Sequence, residues 1–257
     1  MKKIILGMAI LIASTQGNAG NWSLGAGGLI SANPYISMKT NIIPIPFISF
    51  QGQYVSVYGT MAKARYVINK ENTLGLMTKL GMQTFDPEDV TDTNLKLLSK
   101  RERLVYMGPY YRFRNTYGQL TAHSILDVTG RSNGGYEIGA NYSYPLHLKN
   151  NKIYLRPSIG AVWHNKKLGD HFYQVSANES IQSGLQAYQP GSYIQPSAGI
   201  FAGVNLGKKF YWTNVAKVNY VPNRIYNSPM VKNSRVNYSL ITGITYEIGD
   251  SKSRFNH

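Results

Sequence analysis

A histidine and an aspartate stand four residues apart on one predicted strand, and this pair could in principle carry out acid–base chemistry. His123 and Asp127 share one parity of the segment 117–128. At ~3.3 Å per residue their Cβ atoms are roughly 13 Å apart, too far for direct contact. Ser124 has the opposite parity, so this strand cannot supply a serine–histidine nucleophile pair. We therefore interpret His123 and Asp127 as polar groups lining an interior.

A second titratable group, Asp170 and His171 with His164 nearby, lies in a long predicted loop. An aspartate–histidine couple can act as a base with its orienting group, or bind a metal. No third ligand stands at a suitable spacing, and the chain has no HExxH, GxSxG or Walker-type glycine motif. The sequence thus predicts no enzyme, cofactor or metal site, and assigns these side chains to loop packing.

The elements that must position these residues are strands. In YEIGANYSY, 136–144, Tyr and Ile alternate with Glu, Gly, Asn and Ser, which is the period of a strand with two different faces. Many such segments run ten to thirteen residues, as a tilted membrane strand requires. About twelve segments show this period: 22–30, 43–50, 52–58, 60–68, 72–83, 103–114, 117–128, 135–146, 152–163, 194–206, 209–221 and 236–248.

The connections between these segments alternate between short and long from the fourth segment onward. Tight turns on one side and long loops on the other are typical of an outer-membrane barrel. We therefore predict an all-β fold, a transmembrane antiparallel up-and-down β-barrel of about twelve strands, whose apolar parity meets lipid. The alternative is a soluble periplasmic sandwich or lipocalin-like barrel, in which the apolar parity would face a core.

The N-terminus reads as a secretory signal. Lys2 and Lys3 precede the apolar run 4–13, and Ala19 is a plausible cleavage point. We expect a signal peptide at 1–19 and one barrel domain at 20–257. The chain has no cysteine and a net charge of +15. Because that charge is scattered rather than clustered, we expect no nucleic-acid partner.

Two sets of side chains follow from the parities. The tryptophans share the apolar parity, and we expect an aromatic girdle with Trp22 and Trp212 at the inner rim and Trp163 at the outer rim. The polar parity places a set of charges in the lumen, where Glu137 and Arg156 could pair. They either pack the lumen or line an anion-preferring path. This set comprises Lys63, Arg65, Lys79, Asp127, Glu137, Arg156, Lys217 and Glu247.

The long loop 84–102 is acidic first and basic later, with one helical turn expected near Leu95–Leu98. It is either a solvated loop or a surface that contacts lipopolysaccharide beside the membrane lipid. The basic residues that would make this contact are Lys96, Lys100, Arg101 and Arg103.

The loop 168–191, LGDHFYQVSANESIQSGLQAYQPG, resembles the MipA/OmpV family of Gram-negative outer-membrane proteins. NSPMV at 227–231 resembles the Ser-Pro element of that family, and GAGG…NPYIS with IIPIPFISF resembles its first strand pair. Gln174 replaces a glycine usual in the family, and Ile248 stands where an aromatic residue often ends the last strand. The loop residues that match are Phe172, Tyr173, Val175, Ser176, Ser183, Gly184, Tyr188 and Gly191.

The resemblance implies a non-enzymatic scaffold that joins a lytic transglycosylase to a murein synthase at the outer membrane of a Gram-negative cell. The site would then be periplasmic: the short turns, the N-terminus after Gly20, and the basic tail with Lys252 and Arg254. Because one fold hosts several functions, a narrow pore for small, anionic solutes or antibiotics is the alternative.

Overall fold

The computed structural model describes residues 20–38, 41–148, 152–232 and 234–248. The expected signal peptide, 1–19, and the tail with Lys252 and Arg254 lie outside the described residues.

Thirteen strands form one closed antiparallel sheet. Apart from β8 and β9, each strand pairs with its neighbour in the chain, and the last strand pairs with the first, with Trp22 opposite Ile248. The eighth and ninth strands both pair with the tenth, so they act as one interrupted strand and the barrel has twelve. The strands are β1 (Asn21–Ser31), β2 (Asn41–Gln51), β3 (Val55–Tyr58), β4 (Met61–Val67), β5 (Asn72–Leu80), β6 (Val105–Asn115), β7 (Gly118–Asp127), β8 (Tyr136–Ser143), β9 (Leu146–Leu148), β10 (Ile153–His164), β11 (Tyr193–Gly207), β12 (Phe210–Tyr220) and β13 (Val236–Ile248).

The two faces of each strand meet different surroundings. In β8, Ile138 is 49% exposed on the outer face, whereas Glu137 on the inner face is 3% exposed. Closure pairs the backbone groups of every strand, which is the condition for crossing lipid. The predicted twelve-strand barrel with a lipid-facing apolar parity is therefore confirmed, and the soluble alternative is wrong.

The break between β8 and β9 has a local cause. Pro145 has no N–H to donate to the ladder, so regular pairing stops there. Tyr144 still donates its N–H to the carbonyl of Pro157 at 3.1 Å. The interruption thus shifts no register, because β9 resumes pairing with the same strand.

The barrel has two unlike ends. The turn end carries short connections such as 116–117 and 208–209, whereas the loop end carries 81–104, 165–192 and 221–235. Within the described residues, the α-helices all lie in loop-end connections: α1 (Lys166–Tyr173), α2 (Ala177–Ser183) and α3 (Asn223–Tyr226). No helix in the described part of the chain has the length and apolar character needed to cross a membrane. In outer-membrane barrels such turns face the periplasm, and we expect the same here.

Candidate functional site

Four long connections fold together over the loop end and form what we call the cap, residues 32–38, 81–104, 165–192 and 221–232. Their buried apolar side chains make one continuous cluster with inward-facing residues of the barrel wall. The cap contributes, among others, Tyr35, Phe85, Leu95, Leu168, Phe172, Ile225 and Met230, and the wall contributes Met77, Tyr106, Tyr110, Ile125 and Tyr193. Because these residues come from connections all around the loop end of the barrel, the cluster covers the opening at that end.

The family-like loop motif builds this cap. Phe172 and Tyr173 end α1, and both side chains are buried in the cluster. The hydroxyl of Tyr35 donates to the carbonyl of Phe172 at 3.0 Å, and the hydroxyl of Ser228 donates to that of Tyr173 at 2.8 Å. The motif therefore ties the first and last long loops to α1.

The next motif residues close the loop on itself. Val175 and Tyr188 exchange two backbone hydrogen bonds of 2.9 Å. The hydroxyl of Tyr188 donates to the carbonyl of Arg224 at 3.1 Å, which fastens the loop to α3. Sequence reasoning singled out these residues by resemblance, and the structure gives each a packing role.

The ends of α2 account for three more motif residues, Ser176, Ser183 and Gly184. Ser176 is the N-cap, its hydroxyl accepting from the N–H of Glu179, whose carboxylate accepts from Ser176 in return. At the other end Gly184 has φ +73°, the left-handed conformation that glycine adopts without strain. The hydroxyl of buried Ser183 donates to the carbonyl of Glu179 at 2.6 Å.

Glu179 is also the ionic anchor of the cap. Its carboxylate accepts from Nη2 of Arg101 at 2.8 Å and from the N–H of Ser99 at 3.0 Å. Burial by itself raises the pKa of Glu179, but the N–H groups of Ser176 and Ser99 and the charge of Arg101 outweigh it and lower the pKa to about 2. The expectation that Arg101 contacts lipopolysaccharide is wrong, because its guanidinium is held inside the cap.

The neighbouring loop charges have other outcomes. Lys100 forms an ion pair with Asp86, whereas Lys96 is exposed, so a lipopolysaccharide contact there stays a prediction. The helical turn expected near Leu95–Leu98 is confirmed as a short 3-10 helix at Leu95–Leu97.

The Asp170–His171 couple holds loops together. The carboxylate of Asp170 accepts from the N–H of Gly191 at 3.2 Å and from the side chain of Gln189 at 3.1 Å. Nε2 of His171 lies 3.0 Å from the carbonyl of Glu102. The packing interpretation of this couple is confirmed, and no group of three metal-ligating side chains occurs among the described residues.

An ionic cluster lies inside the barrel directly below the cap. Glu137 contacts Lys79 at 2.5 Å, Nε2 of His123 at 3.2 Å and Nδ1 of His164 at 3.7 Å. Sequence reasoning missed it because the four residues come from four different strands. The predicted contact between Glu137 and Arg156 is wrong: Glu137 faces His164 across β8 and β10, and Arg156 stands eight residues further along β10.

The other predicted lumen acids have different surroundings. Asp127 stands at the loop end, where its carboxylate accepts from the backbone and hydroxyl of both Thr129 and Ser132 at 2.6–2.9 Å. It therefore shapes the following loop rather than lining the bore. Glu247 faces inward near the turn end and is 1% exposed.

Several basic side chains line the inner face of the barrel. The structure places Lys63, Arg65, Arg156 and Lys217 on the inner face, as their parity predicts. Two further arginines of β6, Arg112 and Arg114, share this face and were missed, although the parity of β6 was available to find them.

The tryptophans all stand on the outer face. Trp22 and Trp212 lie near the turn end, opposite Ile248 and Ile244 of β13, and Trp163 lies near the loop end. Their role as membrane girdles stays a prediction.

Comparison with known proteins gives a consistent set of relatives. A family model described as MltA-interacting protein MipA matches residues 24–248. The chain is 27% identical to the MltA-interacting protein of Escherichia coli K12 over 95% of this chain and 98% of that protein. It is 25% identical to the putative outer membrane protein YiaT of the same strain over 94% and 97%. Among solved structures it resembles an outer membrane channel from Pseudomonas putida F1, with a TM-score of 0.44, 8% identity and coverage of 90% and 96%. A likeness of that size carries no conclusion about function.

Proposed function

We propose that this chain, which belongs to the MltA-interacting protein (MipA) family, is a non-enzymatic outer-membrane scaffold that brings a lytic transglycosylase together with a murein synthase. The observation that carries the proposal is the family match across 24–248. The name of the relative in E. coli supports an interaction with one such enzyme. The barrel supplies the membrane anchor for this assembly.

The geometry favours the turn end as the docking face. The cap covers the loop end with a packed apolar core, and murein enzymes work on the periplasmic side. Short turns hold their side chains on a rigid barrel, as a recognition surface requires. Tyr117 is 79% exposed in the turn between β6 and β7, and Tyr54 is 59% exposed in the turn after β2. Exposed tyrosines of this kind often anchor protein interfaces.

The test is an affinity pull-down from detergent-solubilised envelopes with the tagged full chain as bait. We expect a lytic transglycosylase and a murein synthase to be captured together. Tyr117→Ala should reduce their capture about tenfold if this tyrosine is an interface anchor. Ile181→Ala is the matched control, because Ile181 is equally exposed (83%) but lies on the cap. If the unaltered chain captures neither enzyme, the scaffold is no longer the preferred function.

A second candidate function is a narrow pore for small anionic solutes. The basic side chains of the bore favour it, whereas the packed cap argues against a permanently open path. Single-channel recording of the full chain in planar bilayers separates the two. We expect no steady conductance, and a stable anion-selective conductance would make the pore the better account.

A further inference from the structure

The cations of the bore differ in whether the protein satisfies them. Arg65 donates from Nε to the carbonyl of Gln53 at 2.8 Å and from Nη2 to that of Gly52. Arg114 donates to Oε1 of Gln119 at 3.0 Å and 3.3 Å. Both guanidinium groups therefore hold a turn or a neighbouring strand, and their positions are explained by the fold alone.

Three other cations, Lys63, Arg112 and Arg156, are only partly satisfied by the protein. Lys63 lies over the ring of Tyr110, with Nζ 5.1 Å from the centroid, and Arg156 lies over the ring of Phe201 at 5.3 Å. Arg112 donates from Nη2 to the hydroxyl of Thr73 at 3.0 Å, but its Nε is buried without an acceptor. Within the described residues, no carboxylate lies within 4.0 Å of any of the three.

These three side chains all project from the inner face of the barrel wall. They come from β4, β6 and β10, all on the inner face, and the charges of Arg112 and Arg156 repel Lys63. All three side chains are only partly buried, so each keeps some contact with solvent. The acids of the bore do not neutralise them: Glu137 is bound by Lys79 and two histidines, Asp127 by its loop, and Glu247 stands on β13, with no ion pair to any of the three cations among the described residues.

We propose that Lys63, Arg112 and Arg156 form a binding site for a small oxyanion, carried by a phosphate or carboxylate group of a solute. Like charges gathered in a confined space repel one another, and an anion between them removes that repulsion. Arginine presents a planar fork that matches both groups, and lysine adds a point charge. The aromatic rings beneath Lys63 and Arg156 fix these cations without neutralising them.

The site makes the barrel a receptor rather than a conduit. The cap closes the loop end above it, so a solute would enter from the turn end and leave the same way. The proposal does not depend on the scaffold function, because it concerns the inner face of the barrel and not the surface of its turns.

The test is isothermal titration of the full chain in neutral-lipid nanodiscs at low salt. Pyrophosphate and citrate are titrated as the phosphate and carboxylate probes, and glucose as the uncharged probe. We expect at least one anion to bind saturably and glucose not to bind; the tighter anion identifies the group preferred. Lys63→Gln and Arg156→Gln should each weaken binding about tenfold, because each removes one charged hydrogen-bond donor.

Lys96→Gln is the matched control, since it removes a cation from the exposed surface of the cap. The gel shift of heat-modifiable barrels checks that each variant is folded. If a glutamine variant does not fold, Arg156→Lys keeps the charge and loses the fork, and should bind more weakly than the unaltered chain. Absence of binding by both anions, or an equal loss in Lys96→Gln and Lys63→Gln, would overturn the site.

Discussion

Neutralising Glu179 should loosen the cap while leaving the barrel folded. The carboxylate of Glu179 accepts hydrogen bonds from Arg101, Ser99 and Ser176, all at 2.8–3.0 Å. These partners belong to two different loops, so Glu179 joins the loop 81–104 to α2. Glu179→Gln removes the charge and leaves the guanidinium of Arg101 without its ionic partner.

The free energy that Glu179 contributes follows from its lowered pKa. A pKa of about 2, against an ordinary value of 4.5, corresponds to about 3 kcal/mol in total; part of it comes from Ser176 in the same helix, which leaves roughly 2 kcal/mol for the contacts with Ser99 and Arg101 that hold the cap closed. Because the folded-state pKa is depressed, this contribution is fully present above pH 4.5 and is lost as the pH falls toward 2. Glu179→Gln should remove it at neutral pH and abolish that part of the pH dependence.

The assay is amide hydrogen exchange of the detergent-purified chain, followed by mass spectrometry and corrected for the intrinsic exchange rate. We expect exchange in peptides covering 95–101 and 174–184 to be about thirtyfold faster in Glu179→Gln at pH 7. Peptides from β11 should be unchanged. Glu88→Gln is the control, because Glu88 is exposed in the same loop. The hydrogen bond from Lys100 lowers the pKa of Asp86, which therefore also titrates at low pH. Its contribution is the same in every variant and cancels when the exchange rates are compared.

The reasoning would be refuted in either of two ways. One is equal protection of both cap peptides in Glu179→Gln and in the unaltered chain at pH 7. The other is an unchanged loss of protection between pH 4.5 and 2.5 in the variant, since the carboxylate proposed to titrate there would be absent.

Three further predictions concern the cap, the bore and the lipid face. Gly184→Ala forces alanine to φ +73° and should destabilise the cap by about 1 kcal/mol, measured by the same hydrogen exchange. Gly28→Ala, on an open outer face of the barrel, should not destabilise the cap, and equal effects of the two substitutions would contradict this prediction. Lys79→Met leaves buried Glu137 without its ammonium partner and should lower the free energy of unfolding by about 3 kcal/mol, measured by urea unfolding in detergent. An unchanged unfolding midpoint would show that His123 and His164 are enough to stabilise Glu137. Ile159→Arg puts a charge on the lipid face of β10 and should cost about 2–4 kcal/mol in liposomes, whereas Ile181→Arg on the cap should be neutral; an unaffected Ile159→Arg would contradict the assigned face.

Much of the barrel could be predicted from the sequence because its determinants are local. The alternation in YEIGANYSY fixes which side chains face lipid, and the lengths of the connections fix the two ends. Parity alone correctly placed Lys63, Arg156 and Lys217 on the inner face.

The contacts within the bore could not be predicted in the same way. They depend on the stagger between strands, which accumulates around a closed barrel. The sequence of a single strand does not determine this stagger. Glu137 was expected to meet Arg156 on the next strand, but the register puts His164 opposite it. Lys79 reaches Glu137 from β5, three strands away around the wall.

The cap shows a similar limit. The basic run of the loop 84–102 suggested a surface for lipopolysaccharide. Arg101 instead points inward, because its Nη2 donates to Oε1 of Glu179, in another loop, at 2.8 Å. The family-like motif located the right loop, whereas its partners Tyr35 and Ser228 come from the two ends of the chain. Such long-range loop contacts leave no periodic signal in the sequence.

The most direct test of the scaffold proposal is site-specific photo-crosslinking in living cells. A photoreactive amino acid is placed at Tyr117 on the turn end or at Ile181 on the cap, both highly exposed. The account predicts a crosslink to a lytic transglycosylase or murein synthase from position 117 and none from position 181. Crosslinks to these enzymes from position 181 alone, or from neither position with the barrel folded and abundant, would contradict docking at the turn end.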